Sequence, residues 1–427
     1  MLGSSVIVVS MIMILGMPHV ASATGTWTEQ VSNSPELLMV VHAVTSEVAW
    51  AVGNAGQVVV TVDGGSHWVS RPVPGAIGLR GLFGFDDQVC VVSDQMGRFW
   101  RTTNGGLQWN QVYGGTGMSI NGIHFFDAQN GWAVGDPVGG KFVILETTDG
   151  GLTWISSPNA PPAGFNMNGW TRSFDWVGTE IGAFGTSKWV IWRTTNGGAQ
   201  WDSVRTNSEY VYGLVLADNG IGLAGGHDGG SEAELDRSTD FGHSWSAIQP
   251  PPQASSLKTF DWIDGTSEVW GVTTQTGVFH STNGGLDWVR HVLAPPLDFV
   301  EEDVDFVDGN TGWCVGWRGN DTGRIFKYSS TTGITNTQSA PVPLRVSIRP
   351  NPFETEVAFA FEMGRESPVE ITIYDVTGQS MCRAVARSGE YRWDGLDPAG
   401  RTVASGMYLY RLKSATSEFT GRMIKIR

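Results

Sequence analysis

Three cysteines in 427 residues, Cys90, Cys314 and Cys382, are too few for a disulfide framework, and their odd number leaves at least one thiol free. No CxxC or HExxH spacing occurs and the eight histidines are scattered, so no metal site and no cofactor is expected. Basic residues are also scarce: 27 Lys and Arg stand against 42 Asp and Glu, a net charge of −15. That balance argues against nucleic acid or an anionic lipid surface as partner. Long apolar runs are missing too. Val6–Met17 falls short of the ~20 residues that span a bilayer. With the small-residue pattern Ala21–Ala23 behind it, this run reads as a signal peptide over residues 1–23, which predicts an exported chain that is not membrane-spanning once the signal is cleaved. Helical periodicity is hard to find anywhere.

What the chain has in plenty is glycine, tryptophan and repetition. An eight-residue box recurs as TVDGGSHW (61–68), TTNGGLQW (102–109), TTDGGLTW (147–154), TTNGGAQW (194–201), STDFGHSW (238–245) and STNGGLDW (281–288). Its polar positions, Asp63, Asn104, Asp149, Asn196, Asp240 and Asn283, are 41 to 47 residues apart, a period typical of propellers and solenoids. A second element, such as AWAVG (49–53) or GWCVG (312–316), occurs seven times. The seventh unit has only a worn box, YSSTTGITN (328–336), and lacks its tryptophan. The missing piece is TWTEQV (26–31), which resembles the segment after each box, so Trp27 and its strand are expected to complete the last blade and close the ring. Each unit reads as four short strands, the fourth beginning at the box tryptophan. The chain is predicted to be all-β: a seven-bladed β-propeller over residues 24–335, a linker over 336–345, and an Ig-like β-sandwich over 346–427.

The box itself reads as structural. Its glycines supply positive φ for a tight turn, its Asp or Asn oxygen accepts backbone N–H groups, and Trp68, Trp109, Trp154, Trp201, Trp245 and Trp288 supply packing area. A metal ligand or general acid needs a carboxylate, whereas a turn needs only the oxygen, and Asp and Asn interchange freely here. These residues resemble the Asp-box, or BNR, repeat of sialidases and sortilin-like propellers. The fuller pattern over 123–154 is similar to the repeats of photosystem II assembly-factor-type propellers. Such repeats occur on glycosidases, receptors and assembly factors, so the resemblance implies the fold far more than a function.

An enzyme of this type needs particular residues. The propeller has eleven arginines, and its tyrosines are Tyr113, Tyr210, Tyr212 and Tyr328; neither set gives the arginine triad and Tyr–Glu pair that the sialidase resemblance would require. The weak catalytic candidates are Asp303 and Asp305 in EEDVDFVDG (301–309), where alternation puts Glu301, Asp303 and Asp305 on one strand face. The plainer expectation for that run is a solvated face of an acidic protein. Asp228, Glu232, Glu234 and Asp236 are oxygen donors of the kind calcium takes, but their spacing fits no calcium loop and they too read as solvated. Cys90 and Cys314 read as small buried residues at equivalent strand positions.

Strand parity puts every box on one face of the disc and the loops of variable length on the other. The binding-face candidates are Phe165, Trp170, His227, Asp228, Glu232, Trp317, Arg318 and Asp321, with the two tryptophans suited to stack on a sugar or to anchor a protein.

Charge changes sign toward the C-terminus. Residues 24–335 hold 32 acidic and 15 basic residues, and the remainder 10 and 12. PNPF (350–353), IYDVTGQ (373–379), ASGMYLYRL (404–412) and GRMIKIR (421–427) resemble, in order, the C-terminal sorting domain of the type IX secretion system, itself similar to the Ig-like domain of the flagellar hook-capping protein. The resemblance implies recognition by outer-membrane secretion machinery and a secreted or cell-surface location. The leading reading is a non-enzymatic exported propeller that binds a protein or glycan. A secreted glycoside hydrolase and a scaffold for a surface complex are the alternatives.

Overall fold

The computed structural model describes residues 25–426 except 116, 230–231, 274–276, 294–298, 320–321, 331–345, 350–352, 362–368, 376–378, 387–389 and 414–417. The signal segment, the 336–345 linker, most of the worn box and Asp321 lie outside the described residues. Two compact units are present, divided at residue 332.

The first unit is a seven-bladed propeller. Its inner strands are Leu38–Ala43, Leu79–Gly84, Ile120–Phe125, Gly169–Val177, Tyr210–Leu216, Leu257–Trp262 and Phe299–Asp308, which define blades one to seven. Each opens an antiparallel four-stranded sheet, and blades four and five also touch through one parallel bridge, Ser173 to Leu214. In blade seven the outer strand is Gly25–Gln30, paired with Thr322–Ser330 so that Trp27 faces Tyr328. The ring is closed by the N-terminal strand, as the sequence implies. In the other six blades the outer strand begins one residue after the box tryptophan rather than at it, because the indole turns inward to pack.

That packing joins neighbours. Trp109 meets Trp50, Trp154 meets Phe99 and Trp201 meets Trp132, and Trp27 of the closing strand meets Trp270, each indole lying against the preceding blade. Burying one indole removes about 200 Å² of surface from water, which is about 5 kcal/mol before entropy is counted. A basic residue just before the box hydroxyl adds a polar staple to the following blade. Arg101 donates to the Gly150 carbonyl, Arg193 to Phe241, Arg237 to Gly284 and Lys327 to Gly64, at 2.6 to 2.9 Å.

Every inner strand slips register near its start. Met39, Arg80, Asn121, Tyr212, Lys258 and Glu302 are each one extra residue, and in blade four the slip spans Trp170 to Ser173. A β-bulge bends its strand and re-aims side chains. Here the same bulge recurs around the ring at the axial edge.

The second unit pairs a three-stranded sheet (Val346–Arg349, Val357–Phe361, Glu390–Trp393) with a four-stranded one (Val369–Asp375, Ser380–Ala386, Gly406–Lys413, Glu418–Lys425). Phe353, Phe359, Ile371, Ile373, Trp393 and Leu412 fill the core between them, giving a β-sandwich.

Candidate functional site

The boxes share one hydrogen-bond scheme. In blade two the Thr102 hydroxyl donates to Asn104 Oδ1 (3.0 Å) and accepts from Gly106 N (3.0 Å), while Asn104 Oδ1 accepts from Gln108 N (3.0 Å). Blade three repeats it with Asp149, where Oδ1 accepts from Thr147 Oγ1 and Thr153 N at 2.9 Å each. Asp63, Asn196, Asp240 and Asn283 do the same. The turn itself takes Oδ1 in every case, so amide and carboxylate both serve it; the second oxygens of Asp63, Asp149 and Asp240 bond the side chain four residues on in addition, and the Asn283 amide donates to Asp287. A further bond fixes the face: Gly105 N donates to the Gln88 carbonyl and Gly150 N to that of Gln129, tying each box to the turn that ends its own inner strand. The opposite face therefore carries the starts of the inner strands, the bulges and the variable loops.

The run 301–305 corrects the expectation of a solvated face. Asp303 is fully buried, Glu301 is 5% exposed and Asp305 is 9% exposed. Asp303 accepts from Val41 N (3.0 Å) and Asp305 from Ala43 N (2.6 Å), so both cap the free edge of blade one. Asp261 does this for Phe306 N and Asp175 for Leu216 N, each at 2.7 Å. Arg172, held at φ +67° in the blade-four bulge, reaches across the axis, with its Nε 3.1 Å from Asp303 and Nη2 3.4 Å from Asp305. Blades four and seven are as far apart as a ring of seven allows, so this guanidinium is a strut through the central channel.

The electrostatics follow from that crowding. Burial pushes Asp303 up to about 6, against the pull of Arg172, and pushes Asp175 up to about 7. For Asp305 burial is outweighed by His42, at 3.4 Å, and by Arg172, and its carboxyl is held low. Burial, reinforced by the neighbouring His42 and Arg172, lowers His124 to about 4. With their oxygens committed to backbone N–H groups and to Arg172, Asp303 and Asp305 are placed as structural carboxylates. Glu301 is different. It stands where the other blades place Leu38, Leu79, Ile120, Val211 and Leu257; its Oε2 has no partner, and burial raises it to about 7.

At the mouth of the channel the bulge residues reach the hairpins of the variable face. Asn121 bonds Asp136 (2.9 Å), Tyr212 pairs with His227 (2.9 Å), and Glu302 accepts from Trp317 Nε1 (3.1 Å) while holding Lys258 (2.7 Å). Arg80 donates to the Leu79 carbonyl at 2.9 Å and to Asn54 at 3.4 Å. The binding-face candidates thus fall into separate groups. Trp170 and His227 come together with Tyr210 and Tyr212: Trp170 stands edge-on to Tyr212 at 4.5 Å, and His227 stacks on Tyr210 at 4.8 Å. Trp317 belongs to the Lys258–Glu302 pair, with Arg318 next in its strand. Phe165 is 92% exposed in the connector before blade four, while Asp228 and Glu232 are exposed around the blade-five hairpin. Tyr212, Lys258 and Glu302 are not among the binding-face candidates read from the sequence, because an extra residue in a strand only looks like a break in alternation.

Two further expectations need correction. Asp236 is fully buried, not solvated, and anchors Asn207 N and Asn207 Nδ2. Cys90 and Cys314 are both buried, but Cys90 pairs with Thr102 and Cys314 with Phe326, two register positions apart, so they are not equivalent. Among the described residues no group of three or more His, Cys, Asp or Glu is placed to hold a metal ion, and no helix is long and apolar enough to cross a membrane.

Comparison with known proteins fits this architecture. Residues 101–211 match the family described as photosynthesis system II assembly factor YCF48, and residues 347–426 match the secretion system C-terminal sorting domain. No curated protein matches. Among solved structures, YCF48 bound to a D1 peptide is similar at 16% identity and TM-score 0.56, covering 71% of this chain and 97% of that one. U3-55K is similar at 9% identity and TM-score 0.55, covering 71% and 98%. PorZ, a surface component of the type IX secretion system of Porphyromonas gingivalis, aligns at 15% identity and TM-score 0.49, covering 90% of this chain and 58% of that one. The chain therefore joins a propeller, of which residues 101–211 match the YCF48 family, to a secretion sorting domain, which marks it for the cell surface or the outside.

Proposed function

We propose that this propeller is a non-enzymatic docking module that takes a polypeptide segment of a partner protein at the channel mouth of its variable-loop face. The observation that carries the reading is the ring of bulges. One structural device, repeated in all seven blades, carries a varied set of side chains: Met39, Arg80, Asn121, Tyr212, Lys258 and Glu302 in six of them, and in blade four Arg172, which turns into the channel. The boxes on the opposite face, which serve the fold, repeat the same residue types instead. Variation on a fixed frame is what recognition of one particular surface requires. A solved propeller of the matched family, YCF48, is bound to a peptide. The hydrolase alternative loses support because Asp303 and Asp305 are engaged by Arg172 and by backbone donors.

Site-specific photo-crosslinking on cells tests this reading. A photoreactive residue replacing Met39 or Phe165 is expected to capture a discrete protein, and one replacing Leu107 on the box face is not. Capture from Leu107 alone, or glycan-array binding with no protein captured from the mouth, would overturn the proposal. Capture of several different proteins from the mouth would favour the scaffold reading over a single ligand.

A further inference from the structure

From the sorting-domain match over residues 347–426, and independently of the propeller's docking reading, we infer that a protein receptor of the export machinery grips the outer face of the four-stranded sheet. An antiparallel sheet with one face on a core is apolar inward and polar outward. Strand Gly406–Lys413 obeys the first half of that rule, since Tyr408, Tyr410 and Leu412 are buried in the sandwich. It breaks the second half, because the alternate positions Met407 and Leu409 are apolar and exposed. The last strand does the same. Met423 is buried, whereas Ile424 and Ile426 are exposed, and Ile426 is kept in line by donating its N–H to the Phe353 carbonyl.

Register gathers these side chains into one strip. Met407 pairs with Ile424, and Leu409 pairs with Tyr374, so three strands contribute. Met407, Leu409, Ile424 and Ile426 are each more than two-fifths exposed, with Tyr374 half-buried beside them. Farther along the same strands the chemistry changes. Thr372 pairs with Arg383 and Arg411, and Glu370 with Val385 and Lys413, so three basic residues stand against one acidic. The outer face of the three-stranded sheet is the contrast. There Ala358 pairs with Arg392, and the exposed Arg392 and Glu356 form an ion pair at 2.8 Å, as a solvated surface does. The fold accounts for that face and leaves the apolar strip unexplained.

The size of the strip selects its occupant. Its four exposed side chains leave roughly 300 Å² of apolar surface uncovered, the scale of a functional patch on a monomer. A stable dimer buries about 800 Å² on each copy, so a second copy of this chain fits poorly. A sorting signal has to let go after delivery, which favours a small contact with fast release. A receptor with an apolar contact flanked by carboxylates complements both halves of the face.

The test expresses the full chain in a host with a type IX system and follows the propeller by cell fractionation. Leu409→Thr with Ile424→Thr, threonine being well suited to strands, is expected to lower delivery outside the cell at least tenfold, with the chain retained in the periplasm. Met407→Gln should lower it several-fold, and Arg392→Gln on the other face should leave it unchanged. Calorimetric melting of the purified full chains checks that the second unit stays folded; if the double variant unfolds, Met407→Gln decides. Normal export of the folded variants would overturn the inference. So would dimerisation in sedimentation, or flotation with vesicles containing lipopolysaccharide, that the double variant abolishes while export continues. Normal export of the face variants, with export lost on deleting residues 346–427, refutes this face alone; undiminished export after that deletion refutes the sorting role itself.

Discussion

Replacing Glu301 with leucine should stabilise the propeller, and by an amount that depends on pH. The carboxyl sits at 5% exposure in a position that five other blades give to leucine, isoleucine or valine, and burial moves it from 4.5 to about 7. One pH unit of displacement is about 1.4 kcal/mol, so ionising Glu301 inside the fold costs about 3 kcal/mol. Below pH 4.5 the group is protonated in both states and contributes nothing. Between 4.5 and about 7 the folded chain keeps a proton that the unfolded chain has released, so stability falls as pH rises, and above 7 the whole penalty is present. Glu301→Leu removes the penalty. Its gain at pH 8 should exceed its gain at pH 4.5 by about 3 kcal/mol, or of order 5 °C in Tm for a unit of this size. Tryptophan fluorescence follows the right unit, since 18 of the 19 tryptophans precede residue 346. Asp175 and Asp303 are also raised and keep their own pH dependence in both proteins, so the difference between the two melts isolates Glu301. An equal shift at both pH values, or a loss of stability at pH 8, would refute the reasoning.

Four further outcomes are expected. Arg172→Met should cost about 3–5 kcal/mol in denaturant melts, because Asp303 would stay buried without its cation; a loss under 1 kcal/mol would mean that the strut bears little. Asn104→Asp should be near neutral and Asn104→Ala should lose about 1 kcal/mol, since only the oxygen is used; a strongly destabilised Asp variant contradicts the box scheme. Trp27→Ala should cost about 3–5 kcal/mol through the cavity left beside Trp270 and Phe306, measured by the same melts. Deleting residues 346–427 should leave the propeller in the periplasm by fractionation, and undiminished surface delivery would count against the sorting role.

The features legible in the sequence are those built from local chemistry repeated many times. Six boxes, seven second strands and the stray TWTEQV were enough to count the blades and place the closing strand, because each signal sits within eight residues. The central cluster was not legible. Arg172 meets Asp303 across 131 positions, and nothing local to either marks the encounter. The acidic run 301–305 reads as surface because carboxylates seldom go inside unless paired; here the partners are backbone N–H groups of blade one, 262 residues away. The staples to neighbouring boxes were visible in principle, as the basic residue in RTTNGG (101–106), RTTNGG (193–198) and RSTDFG (237–242). The bulge ring needed register, which one sequence does not supply. Of the misread acidic positions, Asp236, Asp303 and Asp305 share a cause: each is a buried hydrogen-bond acceptor for an edge or loop elsewhere in the ring.

The pairing of Gly25–Gln30 with Thr322–Ser330 sets the order in which this molecule can be made. Contacts so distant in sequence form slowly, since the entropy of closing the intervening chain must be overcome first. A polypeptide emerging from its N-terminus presents the closing strand first and its partner some three hundred residues later. Until that partner arrives, both strands expose unpaired backbone edges, the state in which β-proteins aggregate. A chaperone that shields residues 25–30 would therefore speed ring closure, and its absence would show as loss of soluble protein before any loss of stability.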